Sequence, residues 1–230
     1  MKTGLLLVIG ARVVAGQVSV TSTTATLTWA DHGSGADYDV SCYDLAVKVD
    51  LFSKLGDYCQ GDYLDAGAGT NWQKPYGPPQ IVADVGGALA EPVGWIHLYS
   101  VDYATVTADI WRPLAPEGFV ALGDFVTTTG AAPEDETIRV VSAECTVPCG
   151  NDVHLWTSPD GDLLIYGQSG ADNDEALSLG LARSFNTSAE VEAGAHCLAS
   201  SCVTDGTTIP EQVHLSCLYP MNLIIYLLRY

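Results

Sequence analysis

The chain has 230 residues, 47% of them hydrophobic, and carries 9 Lys and Arg against 28 Asp and Glu, a formal charge of −19. That length and hydrophobic content suffice for one large domain with a real core and exclude a disordered chain. The charge repels phosphates and anionic headgroups, which excludes nucleic acid as a partner and argues against charge-driven docking on an anionic membrane.

In chain order, residues 1–16 read as a signal peptide. Lys2 precedes the apolar run Leu5–Ile9, and Val14 and Gly16 occupy the small-residue positions before Gln17. Residues 17–230 then form a single all-β domain. The Thr- and Val-rich run Val18–Trp29 predicts a half-buried strand, and Ile138–Ala143 predicts another. Gly33-Ser34-Gly35, Tyr76–Pro79 and Ser158–Gly161 punctuate the strands as turns. The best helix candidate, 189–195, is short. The apolar run Asn222–Leu228 reads as a buried final strand. Outside the leader no apolar run reaches the roughly 18 residues of a transmembrane span.

The sequence repeats internally. Phe52-Ser-Lys-Leu-Gly-Asp57 recurs 67 residues later as Phe119-Val-Ala-Leu-Gly-Asp124, and Ser34-Gly-Ala-Asp-Tyr-Asp39 recurs 135 residues later as Ser169-Gly-Ala-Asp-Asn-Asp174. Together they suggest three diverged repeats, with motif regions at about 29–58, 99–125 and 156–185. Each opens on an aromatic residue near an Asp: Trp29 and Asp31, Tyr99 and Asp102, Trp156 and Asp160. Three similar β units predict a pseudo-three-fold arrangement of antiparallel sheets, like a β-prism.

The segment Asp109-Ile-Trp-Arg-Pro-Leu-Ala-Pro-Glu-Gly-Phe-Val-Ala-Leu-Gly-Asp124 resembles the hallmark of the vacuolar protein sorting-associated protein 62 family, a phrase also found in repeated modules of vacuolar protein sorting-associated 13 lipid-transfer proteins. The segment Trp29-Ala-Asp-His-Gly-Ser-Gly-Ala-Asp-Tyr-Asp-Val-Ser41 is similar to a second hallmark of that family. The resemblance implies an all-β repeat fold and a recognition role, and no known catalytic activity. Read physically, the hallmark is structural. Trp111 serves as a core anchor beside Arg112, Pro113 and Pro116 end the strand, Gly118 permits a tight turn, and Asp124 after Gly123 caps a turn.

Seven cysteines point to an oxidising compartment. Cys145 with Cys149, and Cys197 with Cys202, could each close a small local loop. Asn186-Thr-Ser is a glycosylation sequon.

Three groups of residues are candidate sites. Asp37 and Asp39, with Asp172 and Asp174, place carboxylates at alternate positions in Gly-containing loops, as oxygen ligands for calcium would be. Gly61-Asp-Tyr63-Leu-Asp65 fits the Gly-x-x-x-Asp loop of jacalin-like lectins, with an Asp to accept sugar hydroxyls and an aromatic ring to stack. His97, His154 and His214 recur between aliphatic residues and mark equivalent strands. No nucleophile elbow and no His-Glu-x-x-His occurs. These features describe a secreted, non-catalytic, lectin-like recognition module whose partner is a glycan or other cell-surface ligand, with a protein partner also open. Two alternatives are an intracellular vacuolar or endomembrane adaptor and a receptor-binding subunit of a secreted toxin or pore complex.

Overall fold

The computed structural model describes residues 16–67, 77–102, 104–169, 174–186 and 195–204. The signal segment 1–15, the helix candidate up to residue 194, the final apolar run, Cys217 and His214 lie outside the described residues.

Three units follow one another with the same internal order of strands. The first contains β1 (Val18–Ser22), β2 (Ala25–Ala30), β3 (Ser41–Leu45), β4 (Phe52–Ser53), β5 (Tyr58–Gln60) and β6 (Gln80–Asp84). The second contains β7 (Leu89–Ala90), β8 (Gly94–Val101), β9 (Ala108–Leu114), β10 (Phe119–Val120), β11 (Phe125–Thr127) and β12 (Val140–Ser142). The third contains β13 (Thr146–Thr157), β14 (Leu164–Ser169), β15 (Ala176–Leu177), β16 (Ala182–Phe185) and β17 (Ala195–Ala199). No α-helix occurs among the described residues.

Each unit makes two small antiparallel sheets. A long hairpin and a third strand give β2-β3-β5, β8-β9-β11 and β13-β14-β16. The remaining strands give β1-β6-β4, β7-β12-β10 and β13-β17-β15. In the third unit β13 serves both: residues 146–149 pair with β17 and residues 150–157 with β14. The result is the all-β, pseudo-three-fold, β-prism-like fold that the repeats predict.

The register corrects one repeat. Phe52–Asp57 and Phe119–Asp124 are equivalent, each running from the fourth strand of its unit to the fifth. The segments 34–39 and 169–174 are not. The first lies in the β2–β3 loop, whereas the second begins on Ser169, the last residue of β14, and ends on Asp174 ahead of β15. Small Gly-Ala-Asp stretches suit many loops, and their match carries no structural period. The predicted strand 18–29 is also broken at residues 23–24: the Thr23 N–H bonds Pro79 O at 2.9 Å, one step beyond the Ser22–Gln80 pair, and from Ala25 onward the chain pairs with β3 instead of β6.

The units meet on an axis. The Asp57 N–H donates to Asp124 O at 2.9 Å, the Asp124 N–H to Ala182 O at 3.0 Å, and the Ala182 N–H to Asp57 O at 3.0 Å. This closed ring links β5, β11 and β16, the third sheet strand of each unit. The glycines before the two aspartates permit it: a Cβ on Gly123 would stand 2.8 Å from Gly56 Cα and 3.0 Å from Leu55 O. In the third unit Leu181 precedes the ring residue, and its side chain, fully buried, fills space beside the two glycines.

The ring aspartates then reach into the neighbouring unit. Asp57 Oδ2 accepts the Val126 N–H at 2.8 Å, and Asp124 Oδ2 accepts the Ser184 N–H at 2.6 Å. Asp124 is therefore a buried cross-unit acceptor and not a solvated turn cap. Arg112 answers it with two parallel bonds, Nε to Oδ1 at 2.8 Å and Nη2 to Oδ2 at 3.0 Å. Asp57 has no such guanidinium, and burial pushes its carboxyl up to about 8.

Two other hallmark residues depart from expectation. Trp111 is half-buried, tilted on the His97 ring at 4.6 Å, with its Nε1 donating to Thr127 Oγ1. The buried tryptophans among the described residues are Trp29 and Trp156. Pro113 does not end its strand, since β9 runs to Leu114. Pairing with β11 stops at Trp111, so that side of β9 is an edge at Pro113 and a missing N–H is tolerated there. Gly118 turns with φ +82, as expected of it.

Three disulfides brace the fold: Cys42–Cys59, Cys145–Cys202 and Cys149–Cys197. The local pairings 145–149 and 197–202 do not form. The antiparallel alignment of β13 with β17 places each cysteine of one segment against one of the other. Closing loops of this size contributes roughly 3–4 kcal/mol per bridge on the chain-entropy account.

Two outcomes are expected. Gly123→Ala should lower stability by about 1–3 kcal/mol in denaturant unfolding, because the two tightest contacts that its Cβ meets are backbone. Asp57 holds a proton in the folded state that the unfolded chain releases near pH 4, so its stabilising effect is complete below that pH and is lost as pH rises toward 8. Asp57→Asn should therefore melt higher than the wild type at pH 8, with the gap closing toward pH 4.

Candidate functional site

β2, β8 and the second half of β13 each carry a β-bulge, between Leu27 and Trp29, His97 and Tyr99, and His154 and Trp156. A bulge adds one residue and re-aims the next side chain. That next residue is aromatic in all three units. Trp29 Nε1 donates to Val106 O at 2.8 Å, the Tyr99 hydroxyl donates to Asp160 Oδ2, and Trp156 Nε1 donates to Asp31 Oδ2 at 2.8 Å. Each unit thus holds the hairpin loop of the next, in the order first to second to third to first. These bonds fix the three loops 31–40, 104–107 and 158–163 at one end of the molecule.

Asp31 is the centre of this end. It is 2% exposed and accepts four donors: Ser34 Oγ at 2.7 Å, Val40 N at 3.0 Å, Tyr63 Oη at 2.8 Å and Trp156 Nε1 at 2.8 Å. A buried carboxylate with its lone pairs satisfied in this way needs no cation. Tyr63 also reaches Asp39 Oδ1 at 3.0 Å, and its ring lies 3.8 Å from the His32 ring. Burial first, and the two carboxylates next, push the Tyr63 hydroxyl far above its ordinary range.

The expected lectin loop is therefore placed differently from an open sugar platform. Gly61 is buried, Tyr63 is a strut between loops, and Asp65 stands exposed. The loop is wound around buried Gln60, whose Nε2 donates to Leu64 O at 3.0 Å and whose Oε1 accepts the Gly67 N–H at 3.0 Å. Among the described residues no group of three or more His, Cys, Asp or Glu could hold a metal ion. Asp37 and Asp39 are exposed on the β2–β3 loop, Asp174 is exposed before β15, and Asp172 lies outside the described residues. Asn186 is exposed just after β16.

What the loops do form is a groove of about 370 Å³ between residues 35–38 and 157–161. Tyr38, 41% exposed, stands on one wall with its ring perpendicular to the His154 ring, and Asp37 lies beside it. Asp160 lines the other wall. Its carboxyl is held below the usual range, first by the Ser158 hydroxyl and then by Tyr99. The groove thus offers an aromatic ring and two carboxylates on a braced frame. Sequence reasoning named Asp37 and Asp160 but missed Tyr38 as a wall. The bulge that pairs these two loops leaves no short motif.

His97, Ser100 and Asp109 form another polar cluster, on the face of β8 and β9. Ser100 Oγ lies 3.2 Å and Asp109 Oδ1 2.8 Å from the same atom, His97 Nε2, and Ser100 Oγ donates directly to Asp109 Oδ1 at 2.6 Å. A proton relay needs the two partners on opposite ring nitrogens. His154 bonds Thr157 Oγ1 within its own unit.

The family profile described as vacuolar protein sorting-associated protein 62 matches residues 9–222. Among solved structures, the crystal structure of GNIP1Aa from Chromobacterium piscinae is similar, with a TM-score of 0.66 and 17% identity over 81% of this chain. The likeness is one of fold, and the chain spans 38% of the length of GNIP1Aa. No curated protein matches the chain. No helix among the described residues is long and apolar enough to cross a membrane.

Removing the indole donor with Trp156→Phe should leave Asp31 one bond short. The expected cost is about 1–3 kcal/mol of stability, with faster amide exchange in loop 31–40 measured by NMR.

Proposed function

The chain belongs to the vacuolar protein sorting-associated protein 62 family, and on that premise we propose that it is an extracellular, non-catalytic recognition module that binds uncharged glycans at its loop end. The groove between 35–38 and 157–161 carries this reading, because it joins the two things a sugar needs. Tyr38 presents an aromatic surface to the apolar face of a pyranose, and Asp37 and Asp160 accept its hydroxyl protons. The same carboxylates, in a chain of charge −19, repel sulfated and carboxylated glycans. The cross-unit bonds under the loops lower the ordering cost of binding. Three disulfides and the exposed Asn186 of a sequon support the extracellular location.

A second reading is favoured by one observation. The fold accounts for 38% of GNIP1Aa, so it occurs as part of a longer chain. On that reading the module supplies surface attachment for a larger assembly. The vacuolar adaptor reading has the family's name behind it, but the disulfides count against a reducing compartment.

A glycan array tests the proposal. Binding should concentrate on neutral oligosaccharides, and Tyr38→Ala or Asp37→Ala should weaken it at least about tenfold, the loss of one good contact. Selection of acidic glycans, or neutral-glycan binding untouched by both variants, would sink it.

A further inference from the structure

The seam between the first two units holds a second cavity, about 620 Å³ in volume. Phe125, Val126 and Ile138 give it an apolar side, and Asp44, Lys54, Asp57 and Asp135 give it charge. The register explains why it exists. In the second unit Trp111 pairs with Phe125, so Arg112 and Asp124 stand one step beyond that pair and bond each other. In the first unit Tyr43 pairs with Tyr58, which puts Asp44 and Asp57 at the same two positions. The first unit therefore has a carboxylate where the second has its guanidinium.

Lys54 does not replace the missing guanidinium. Its ammonium, on a side chain 5% exposed, is held by Asp44 Oδ1 at 2.6 Å and by Asp135. Asp57 itself is 2% exposed and lines the cavity. Its Oδ2 takes the Val126 N–H, and no described residue bonds its Oδ1. The side-chain atoms sealed from solvent without a partner among the described residues are Tyr58 Oη and Gln168 Oε1, so Asp57 Oδ1 is open toward the cavity. This is a cavity with a buried carboxyl aimed into it and the cation of its sister site absent.

We infer that the cavity binds a small organic cation, a guanidinium or ammonium on a short apolar stem, which stands to Asp57 as Arg112 stands to Asp124. The cationic head meets Asp57, and the stem lies on Phe125, Val126 and Ile138. Asp44 on β3 and Glu134 and Asp135 on the segment after β11 add negative potential, and Lys54 offsets one charge. Asp57 must lose its proton to act as counter-ion, so binding strengthens as pH rises toward 8. The site is independent of the glycan groove.

Calorimetry with n-butylguanidinium, and with uncharged n-butylurea as control, tests this at physiological salt. One saturable site is expected for the guanidinium, at least about tenfold tighter than any urea binding, with affinity rising up to about tenfold per pH unit below 8. Asp57→Asn and Ala132→Trp, the second chosen to fill the cavity from its loop, should each weaken it at least about tenfold while melting as a folded protein. Diffuse unsaturable binding, equal affinity for the urea, or full affinity in both folded variants would overturn the assignment.

Discussion

Everything in this molecule depends on three backbone hydrogen bonds that close on themselves. Asp57, Asp124 and Ala182 each donate to one neighbour and accept from the other. A hydrogen bond between sheet edges is ordinarily worth about 1 kcal/mol net. Here the cyclic arrangement does something further: it satisfies three N–H and three C=O groups at once and lets three small sheets share one interior. A chain of short strands would otherwise expose its edges. The condition is steric, because backbones can approach this closely only where two of the three preceding residues lack a Cβ.

The three units have used that symmetry differently. The second unit neutralises its buried ring aspartate with Arg112. The first keeps the aspartate but has Asp44 where the arginine would stand, leaving a carboxyl that burial raises and a cavity beside it. The third dispenses with the charge, placing Ala182 on the ring and Leu181 next to the glycines. The axis is a shared frame with three solutions for its polar load. At the far end of the same hairpins, the aromatic residues after the bulges repeat the cyclic logic, and there it braces loops instead of closing a core.

The sequence revealed what is local and repeated. Leu-Gly-Asp at 55–57 and 122–124 is legible because the axis demands the same residues twice, and Trp29, Tyr99 and Trp156 are legible because each bulge needs an aromatic donor. The third ring position carries no such mark, because the residue there is Ala182 and Leu181 precedes it. The role of Trp111 was also out of reach. Its face of the sheet depends on pairing with His97 and Phe125, which composition does not encode. Cysteine pairing and the groove partners needed the fold itself, since Asp37 and Asp160 lie in loops more than 100 residues apart.

Amide-resolved hydrogen exchange, with and without a neutral oligosaccharide, tests the central claim of a rigid closed axis that serves a binding end. The amides of Asp57, Asp124 and Ala182 should exchange only through global unfolding in both samples, with the sugar adding protection within 35–38 and 157–161 alone. Fast local exchange at any one of the three axial amides, or ligand protection confined to some other surface, would contradict it.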